Sequence, residues 1–271
     1  EMSRPLLLVM PRPDEARRLA EQIALWGVPD ARLFPESEAL PFERLASDTD
    51  TTHQRISTLS YLLSSTGDQL QDVPPLVVAS ISAITQKTAS RSAFTTASQV
   101  LARGDQVDVE DLLHRWHRMG YSHRPVVDMP GTTGRRGGIV DIFPVGAGHP
   151  ARIELWGDEV DSIRTYDPVT QRSTGMVESI DIPPAAETLP GFFDPETAVR
   201  TISGINTSIL SEDERDRVDG ELDRLLDGYD VEEVNYYAGI FNDGSLLDYL
   251  PGDGFVAMLR PDEVVRSAWE S

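Results

Sequence analysis

The first part of the chain alternates between continuous apolar runs and runs with helical spacing. Continuous apolar runs are typical of strands that are buried on both faces of a parallel sheet. They lie in "RPLLLVMPRP" at 4–13, "ARLFP" at 31–35 and "PPLVVASISAI" at 74–84, the last of which runs on into a turn or helix. Helical spacing over 13–27 and 51–63 separates them. The order strand, helix, strand, helix, strand predicts an α/β layer built on a parallel sheet.

The first predicted helix illustrates how the pattern assigns the core of this layer. Pro13 suits the first turn of a helix, where a missing N–H costs nothing. Beyond it Ala16, Leu19, Ile23 and Trp26 share one face at helical spacing. We expect that face to pack on the sheet, because an amphipathic helix buries its apolar stripe against the core.

From about residue 98 the pattern changes to short segments with a two-residue period. One helix is predicted first, with Asp108 as its N-cap and Leu112, Trp116 and Met119 on its apolar face. The segments that follow are "GIVDIF", "ARIELW", "VDSIRTY" and "MVESIDI", and connections rich in turn residues separate them. This pattern predicts an antiparallel, mainly β module with one helix against it.

Helical spacing returns after about residue 185. Ser211 followed by Glu214 is a capping box that predicts the start of a helix. Near the end, "GFVAML" at 254–259 has the composition of another buried strand, and Pro261 opens a last helix. An α/β layer that is interrupted by a β module and then resumed predicts an inserted domain.

The sequence therefore predicts an α/β fold in three parts. Residues 1–97 form the first part of a parallel-sheet domain. Residues 98–184 form an inserted, mainly antiparallel α+β domain. Residues 185–271 complete the parallel-sheet domain.

The composition excludes several classes of function. The 271 residues include no cysteine, which excludes disulfides, thiol catalysis and cysteine-ligated metals. There are 45 acidic and 24 basic side chains, a net charge of −21, which disfavours a non-specific grip on nucleic acid. The last third of the chain is the most acidic. No apolar run approaches the ~20 residues of a membrane span, so we expect a cytoplasmic protein.

No site for a nucleotide cofactor is predicted. A phosphate-binding loop of the form G-x-x-x-x-G-K-[ST] needs glycines and a lysine, but Lys87 is the only lysine and no glycine precedes it closely. "GAGHPA" at 146–151 has the glycine spacing of a dinucleotide loop but leads into a predicted strand, so a plain turn is favoured. We expect no catalytic residue and no cofactor, and neither binding nor hydrolysis of ATP by this chain.

A metal site is also disfavoured. His114, His117 and His123 are candidate zinc ligands by residue type. However, His114 and His117 point away from the apolar face of their predicted helix, and no other ligand cluster accompanies them. A solvated helix face is the favoured interpretation. The acidic pair Asp48 and Asp50 is interpreted in the same way, as a helix cap and a solvated face.

One stretch resembles a known family. "RRGGIVDIFPVGAGHPARIELWGDEVDSIRTYDPVTQRS" (135–173) resembles the module shared by the bacterial excision-repair protein UvrB and the N-terminal, UvrB-like region of the bacterial transcription-repair coupling factor. Arg-Gly, "DIFP", "GDEVDSIR" and "DP" before "QR" follow the order of the family. The similarity extends to "ALPFERLASDTDTTHQRISTL" (39–59), "VVASISAI" (77–84) and "SLLDYLP" (245–251), so it covers practically the whole chain.

Two departures favour the coupling factor over UvrB. UvrB grips damaged DNA with a tyrosine-rich hairpin in its first domain, whereas the first tyrosine here is Tyr61. UvrB ends a strand of this kind in a catalytic Asp-Glu pair, whereas "FVAML" runs here into Arg260 and Pro261. Asp262 and Glu263 fall instead in the first turn of the last predicted helix. The resemblance implies a degenerate helicase-like (RecA-type) domain that serves as a scaffold.

The resemblance also implies a function. The inserted domain would bind UvrA, and the chain would be a non-catalytic module that links a stalled RNA polymerase to nucleotide excision repair. RNA polymerase and DNA would be bound by parts of the full-length protein outside this chain, and those parts would supply ATP-driven translocation. No membrane partner is implied.

Two alternatives belong to other functional classes. A fragment of a UvrB-type, ATP-dependent damage-loading enzyme would need a phosphate-binding loop upstream of residue 1. A module for single-stranded nucleic acid would need aromatic residues interleaved with basic ones. The chain offers Trp156 and Tyr166 near arginines for that purpose, and little more.

The resemblance places the UvrA contact at Arg136, Arg152 and Trp156. Relatives carry two arginines and an aromatic residue, commonly phenylalanine, at the matching positions. The two-residue period of "ARIELW" puts Arg152 and Trp156 on the face opposite Ile153, and Arg136 at the mouth of the neighbouring strand can reach it. Glycines beside Arg136 allow a bulge or a close backbone approach. The alternative is a solvated face with a lone aromatic. We expect truncation of each of the three residues to leave folding nearly untouched.

Overall fold

Three β-sheets organise the part of the chain that is described, and each draws on a different stretch of it. The computed structural model describes residues 4–28, 31–37, 48–65, 74–193, 195–204, 210–226 and 234–270. The strands are β1 (Leu6–Met10), β2 (Ala31–Phe34), β3 (Leu76–Ser80), β4 (Gln99–Ala102), β5 (Ser122–His123), β6 (Thr132–Arg136), β7 (Ile139–Phe143), β8 (Ala151–Trp156), β9 (Glu159–Tyr166), β10 (Ser173–Val177), β11 (Ser179–Ile182) and β12 (Phe255–Met258). The helices are α1 (Pro13–Leu25), α2 (Thr49–Ser64), α3 (Ile81–Thr85), α4 (Arg91–Ala97), α5 (Val109–Arg118), α6 (Pro195–Ser203), α7 (Glu212–Leu226), α8 (Ala238–Phe241) and α9 (Pro261–Glu270).

The parallel sheet has the strand order β12-β1-β3-β2, and every pair in it is parallel. On one face Ala16, Ala20 and Ile23 of α1 pack against Val78. The other face contributes Leu7 and other apolar residues to the largest core cluster of the molecule. The runs that form β1 and β3 therefore behave as predicted, because a parallel strand in mid-sheet is covered on both sides. β2 differs, since it is an edge strand in which only Phe34 is buried.

Two details of the predicted parallel layer are wrong. Trp26 is 74% exposed and does not belong to the core. The helix ends at Leu25, and Gly27 follows with a φ of +86°, so the chain leaves the sheet before the tryptophan can pack on it. The strand in "GFVAML" is not buried either. β12 is an edge strand whose Phe255 and Val256 are about half exposed.

The second sheet is six-stranded, in the order β10-β9-β8-β7-β6-β5. Its pairs are antiparallel except for the short parallel pair of β5 with β6. Leu112 and Trp116 of α5 are buried in one cluster with Val140, Ile153 and Ile163 of the sheet. Asp108 accepts hydrogen bonds from two backbone N–H groups of the first turn of α5, as expected for its N-cap. The prediction of a mainly antiparallel module with one helix against it is confirmed.

The segment "MVESIDI" forms two strands rather than one. β10 pairs with β9 in the six-stranded sheet, whereas β11 pairs with β4 in a separate two-stranded sheet. The strands part at Glu178, whose carbonyl accepts a hydrogen bond from the N–H of Arg103. A two-residue period continues through such a break, so the sequence pattern does not reveal the change of sheet.

Arg55 of α2 joins the parallel layer to the segment that follows β11. The buried Arg55 forms two-pronged hydrogen bonds with Glu187, with N···O distances of 2.6 to 2.9 Å, and donates to the carbonyl of Pro35. Arg55 is only 1% exposed. In an amphipathic helix an arginine is expected on the solvated face. The contact with Glu187 instead keeps Arg55 buried.

The first and last parts of the chain share the parallel sheet, since β12 lies beside β1. An isolated bridge between Thr88 and Gly244 links the same two parts. The predicted fold class, an α/β fold with a parallel sheet and an intervening antiparallel module, is confirmed. The domain boundaries at 97/98 and 184/185 and the helicase-like relationship stay predictions. The part of "ALPFERLASDTDTTHQRISTL" before Asp48 lies outside the described residues.

Candidate protein-binding site

The candidate site lies at the end of the six-stranded sheet where two hairpins turn. β6 and β7 are joined through Gly137 and Gly138, and β8 and β9 are joined through Gly157 and Asp158. Gly137 (φ +62°) and Gly157 (φ +64°) have the left-handed backbone conformation that favours glycine. The register of β7 with β8, in which Ile139 opposes Glu154, puts both turns at the same end.

The glycines beside Arg136 serve the turn rather than a bulge. The N–H of Leu155 donates to the carbonyl of Gly138 at 2.9 Å, an ordinary interstrand hydrogen bond. The register shift of this region lies between Glu154 and Leu155, where β8 pairs with β9. The bulge therefore lies in the pairing of β8 with β9 and not at the glycines beside Arg136, where the sequence pattern allowed one.

Trp156 is the last residue of β8 and is 84% exposed. Leu155 beside it packs against the core cluster, so the tryptophan is directed away from that cluster. Exposure alone does not distinguish this residue, because Trp26 and Trp269 are exposed to a similar degree. Its position next to the two hairpin turns does distinguish it.

Arg136 is the last residue of β6 and is exposed. Its Nη2 donates to the carbonyl oxygen of Pro125 at 2.9 Å. Among the residues that the structure describes, no carboxylate forms an ion pair with Arg136. Arg135 behaves differently, because its Nη1 lies 4.0 Å from a carboxylate oxygen of Glu110 in α5. Arg136 thus offers a positive charge at the hairpin end.

Arg152 has an internal partner, which the sequence did not reveal. Its Nε and Nη2 donate to the two carboxylate oxygens of Asp141 on β7 at 2.7 and 2.8 Å. Its guanidinium carbon also lies 4.8 Å from the ring centroid of the buried Tyr166. The hydrogen bonds to Asp141 raise the pKa of Arg152, an effect that outweighs its partial burial.

Arg152 is therefore not a freely exposed surface residue. The side chain of Arg152 is 24% exposed and that of Asp141 is 8% exposed. Truncation of Arg152 would leave a buried carboxylate without its partner, so we no longer expect its removal to leave folding untouched.

A second ion pair lies beside the first on the same face. Arg164 Nη2 donates to a carboxylate oxygen of Glu154 at 3.0 Å, and Arg164 lies directly across from Arg152 in the register. Sequence reasoning missed Asp141, Arg164 and Tyr166 as members of this face. A two-residue period in "IVDIF" was the available signal for Asp141, because it places Asp141 opposite the buried Val140. In "VDSIRTY" the register shift interrupts the period, so that Val160 and Ile163 both face the core and the pattern does not assign Arg164 and Tyr166 to this face.

The carboxyl edge of the parallel sheet has a different character. Arg260 follows β12 with a φ of +56° and forms ion pairs with Glu15 of α1 and Glu263 of α9. Asp262 and Glu263 lie in the first turn of α9, as predicted. In the stretch 11–13 between β1 and α1 no glycine exposes backbone N–H groups. This stretch is not a glycine-rich cradle for phosphates.

The histidines that were considered as zinc ligands are solvent-exposed. His114 and His117 lie on the outer face of α5, and His123 is exposed in β5. Within the described ranges, no three histidine, aspartate or glutamate residues come together in a way that could hold a metal ion.

The comparison with protein families identifies the central part of the chain. Residues 100–187 match the family described as the UvrB interaction domain. This range contains the six-stranded sheet, α5 and all three residues of the candidate site.

Comparison with curated proteins finds relatives named transcription-repair-coupling factor in several bacteria. The chain is 27% identical over 280 residues to the protein of Bacillus subtilis, a match that covers 98% of this chain and 23% of the relative. It is 33% identical over 180 residues to the protein of Mycobacterium bovis, covering 66% of this chain and 14% of the relative. It is 31% identical over 156 residues to the protein of Myxococcus xanthus, covering 58% and 12%.

These matches confirm the resemblance to the N-terminal, UvrB-like region of the transcription-repair coupling factor. The chain spans about a quarter of the length of the Bacillus subtilis relative. In the described residues, none of the helices has the length and apolar character needed to cross a membrane.

Proposed function

We propose, from the similarity of this chain to transcription-repair coupling factors, that it is a non-catalytic module that binds UvrA. It would thereby bring nucleotide excision repair to a stalled RNA polymerase. The match to the UvrB interaction domain and the coupling-factor relatives support this role. RNA polymerase and DNA would be bound by regions that the longer relatives have in addition.

The observation that carries the proposal is the hairpin end of the six-stranded sheet. Trp156 is exposed there, and Arg136 ends the strand that forms the neighbouring hairpin without an ion-pair partner among the described residues. A large aromatic beside an arginine is the usual composition of an energetic centre in protein interfaces. We propose Arg136, Arg152 and Trp156 as the centre of the UvrA contact.

The non-catalytic character is supported by the carboxyl edge of the parallel sheet. Ligands of open α/β sheets bind outside the carboxyl ends of the strands. In this chain Arg260, held by Glu15 and Glu263, takes the position where UvrB would place its acidic pair. Among the described residues of this edge, a triphosphate with its magnesium ion finds no lysine, and Glu15 and Glu263 are already paired with Arg260.

The test is a titration of purified UvrA with the wild-type chain and with Trp156→Ala and Arg136→Ala. Each substitution should weaken binding by about 1–3 kcal/mol, a tenfold loss or more, because interface centres of this kind contribute that much. Trp269→Ala removes an equally exposed tryptophan outside the matched domain and should leave affinity unchanged. Arg135→Ala is the control for charge, since its guanidinium reaches towards α5 instead.

Melting temperatures of all variants complete the test. Trp156→Ala should melt like the wild-type chain, because a residue this exposed contributes little to folding. Unchanged affinity in both Trp156→Ala and Arg136→Ala would remove the proposed site. If Trp269→Ala and Arg135→Ala lost as much affinity for UvrA, the loss would be a general effect of removing an exposed aromatic or a charge and not specific to this site.

A further inference from the structure

Arg136 and Arg152 differ in what their guanidinium groups already hold. Both carboxylate oxygens of Asp141 are engaged by Arg152, through Nε and Nη2. A guanidinium that is used in this two-pronged way has its fork occupied and cannot offer the same edge to a partner protein. Arg136 donates only to a backbone carbonyl and keeps the rest of its fork accessible.

A continuous set of contacts leads from Arg152 to Arg136. The guanidinium of Arg152 lies over the ring of Tyr166. The hydroxyl of Tyr166 donates to the carbonyl oxygen of Val127 at 3.0 Å. Two residues earlier in the same loop, the carbonyl oxygen of Pro125 accepts the hydrogen bond from Arg136.

The loop that ends this set is seated closely on the sheet. A side chain at Gly134 would lie 2.8 Å from the carbonyl oxygen of Arg124 and 3.1 Å from a methyl group of Val127. Gly134 is two residues from Arg136 on β6, so it lies on the same face of that strand. The loop at 124–127 therefore rests on the face that carries Arg136, and a shift of the loop moves the carbonyl that holds this arginine.

We propose that Arg152 is a positioning residue, which acts through Asp141, Tyr166 and the loop at 124–127 to hold Arg136 for the UvrA contact. Arg136 and Trp156 touch the partner, whereas Arg152 fixes the face on which they stand. This assignment rests on the proposed function and divides the three residues of the site into two roles.

Tyr166 provides the sharpest test, because its side chain is fully buried and cannot touch a partner. Tyr166→Phe keeps the ring under Arg152 and removes the hydroxyl that holds Val127. We expect a several-fold weaker affinity for UvrA. Tyr121→Phe is the matched control, since Tyr121 is also buried in this module and its hydroxyl donates to the carbonyl of Pro183, away from this loop. It should leave the affinity unchanged.

A double-mutant cycle separates positioning from direct contact. Arg152→Ala alone should weaken UvrA binding about tenfold, the size of an interface centre. In the Arg136→Ala background the same substitution should cost less than about twofold, because there is no longer an arginine to position. All affinities are measured at a temperature at which melting curves show each variant to be folded.

The outcomes distinguish this inference from the proposed function. If Arg136→Ala and Trp156→Ala weaken binding but the losses of Arg136→Ala and Arg152→Ala multiply, Arg152 touches UvrA directly and the positioning role is wrong. An unchanged affinity in Tyr166→Phe, or an equal loss in Tyr121→Phe, overturns it as well. If Arg136→Ala and Trp156→Ala both bind like the wild-type chain, the proposed contact fails and this inference fails with it.

Discussion

The carboxyl edge of the parallel sheet and the hairpin end of the antiparallel sheet use arginine in opposite ways. At the carboxyl edge Arg260 is held between Glu15 and Glu263, so its charge is neutralised inside the molecule. At the hairpin end Arg136 has a single backbone acceptor in the described structure, and Trp156 stands exposed nearby. The first place is where an α/β fold normally receives its ligand. Of these two places, the second has the composition of a binding surface as far as the described residues go.

The comparison extends to the arginines that are most deeply engaged. Arg55 and Arg152 both hold a carboxylate with two nitrogens, and both lie over an aromatic ring. An arginine with such partners contributes to the fold, whereas one without them is available to a partner protein. The first two predictions below test the engaged side of this distinction.

The largest effect is expected from Arg55→Ala. Removal of this side chain leaves Glu187, which is mostly buried, without its partner. Breaking a buried pair in this way costs about 3–5 kcal/mol of the free energy of unfolding. Urea unfolding followed by circular dichroism measures it. Arg18→Ala, which breaks an exposed pair with Asp14, should change the same quantity by less than about 0.5 kcal/mol. A similar small change in both variants would contradict the role of Arg55.

A smaller loss is expected from Arg152→Ala. The carboxylate of Asp141 would lose both of its hydrogen bonds in a nearly buried position, which costs about 1–3 kcal/mol. Adding Asp141→Ala should restore part of that loss, because the double variant leaves no carboxylate unpaired. Urea unfolding of the two single variants and the double variant gives the coupling. Strictly additive losses would show that the pair does not stabilise the fold as a unit.

The effect of His53 on stability should depend on pH. Burial lowers the pKa of His53 below its ordinary value of 6.5, and Asp50 and Asp48 oppose this more weakly. The unfolded chain then takes up the proton at a higher pH than the folded chain. The stabilising contribution of the neutral imidazole is present above pH 6.5 and is lost as the pH falls through the folded-state pKa.

His53→Gln should therefore flatten the fall in the free energy of unfolding below neutral pH. The imidazole of His53 packs closely on Gly131, where an added Cβ would lie 2.8 Å from Nε2. The pH dependence of His53 therefore measures the stability of the contact between α2 and the loop before β6. His114→Gln, on the exposed face of α5, should keep the wild-type profile. Identical profiles in all three proteins would show that His53 does not contribute.

For ATP the expected effect is none. Titration calorimetry with magnesium and ATP should show no saturable binding, because the carboxyl edge offers Arg260 and its two glutamates instead of a phosphate cradle. Saturable, magnesium-dependent binding at micromolar ATP would remove the distinction between the two regions. It would then favour the UvrB-type enzyme as the better interpretation of the chain.

Local pattern was sufficient for many of the helices and strands, whereas the candidate site came from the family resemblance and stays a prediction. Continuous apolar runs marked β1 and β3, and a two-residue period marked β7, β8 and β9. The same period placed Trp156 away from the core. These features depend on neighbouring residues, and side-chain burial in a strand or helix has a fixed period.

Pairing across the sheets depended on tertiary structure. The sequence shows Arg152 eleven residues after Asp141, but only the register of β7 with β8 brings the two side chains together. In the same way Arg55 and Glu187 are 132 positions apart and meet only where the layers join. Such tertiary contacts decide whether an arginine is paired or available, because its ion-pair partners are the groups that lie beside it in space. The periodicity of the chain determines which way a side chain points, and the packed fold determines what it meets there.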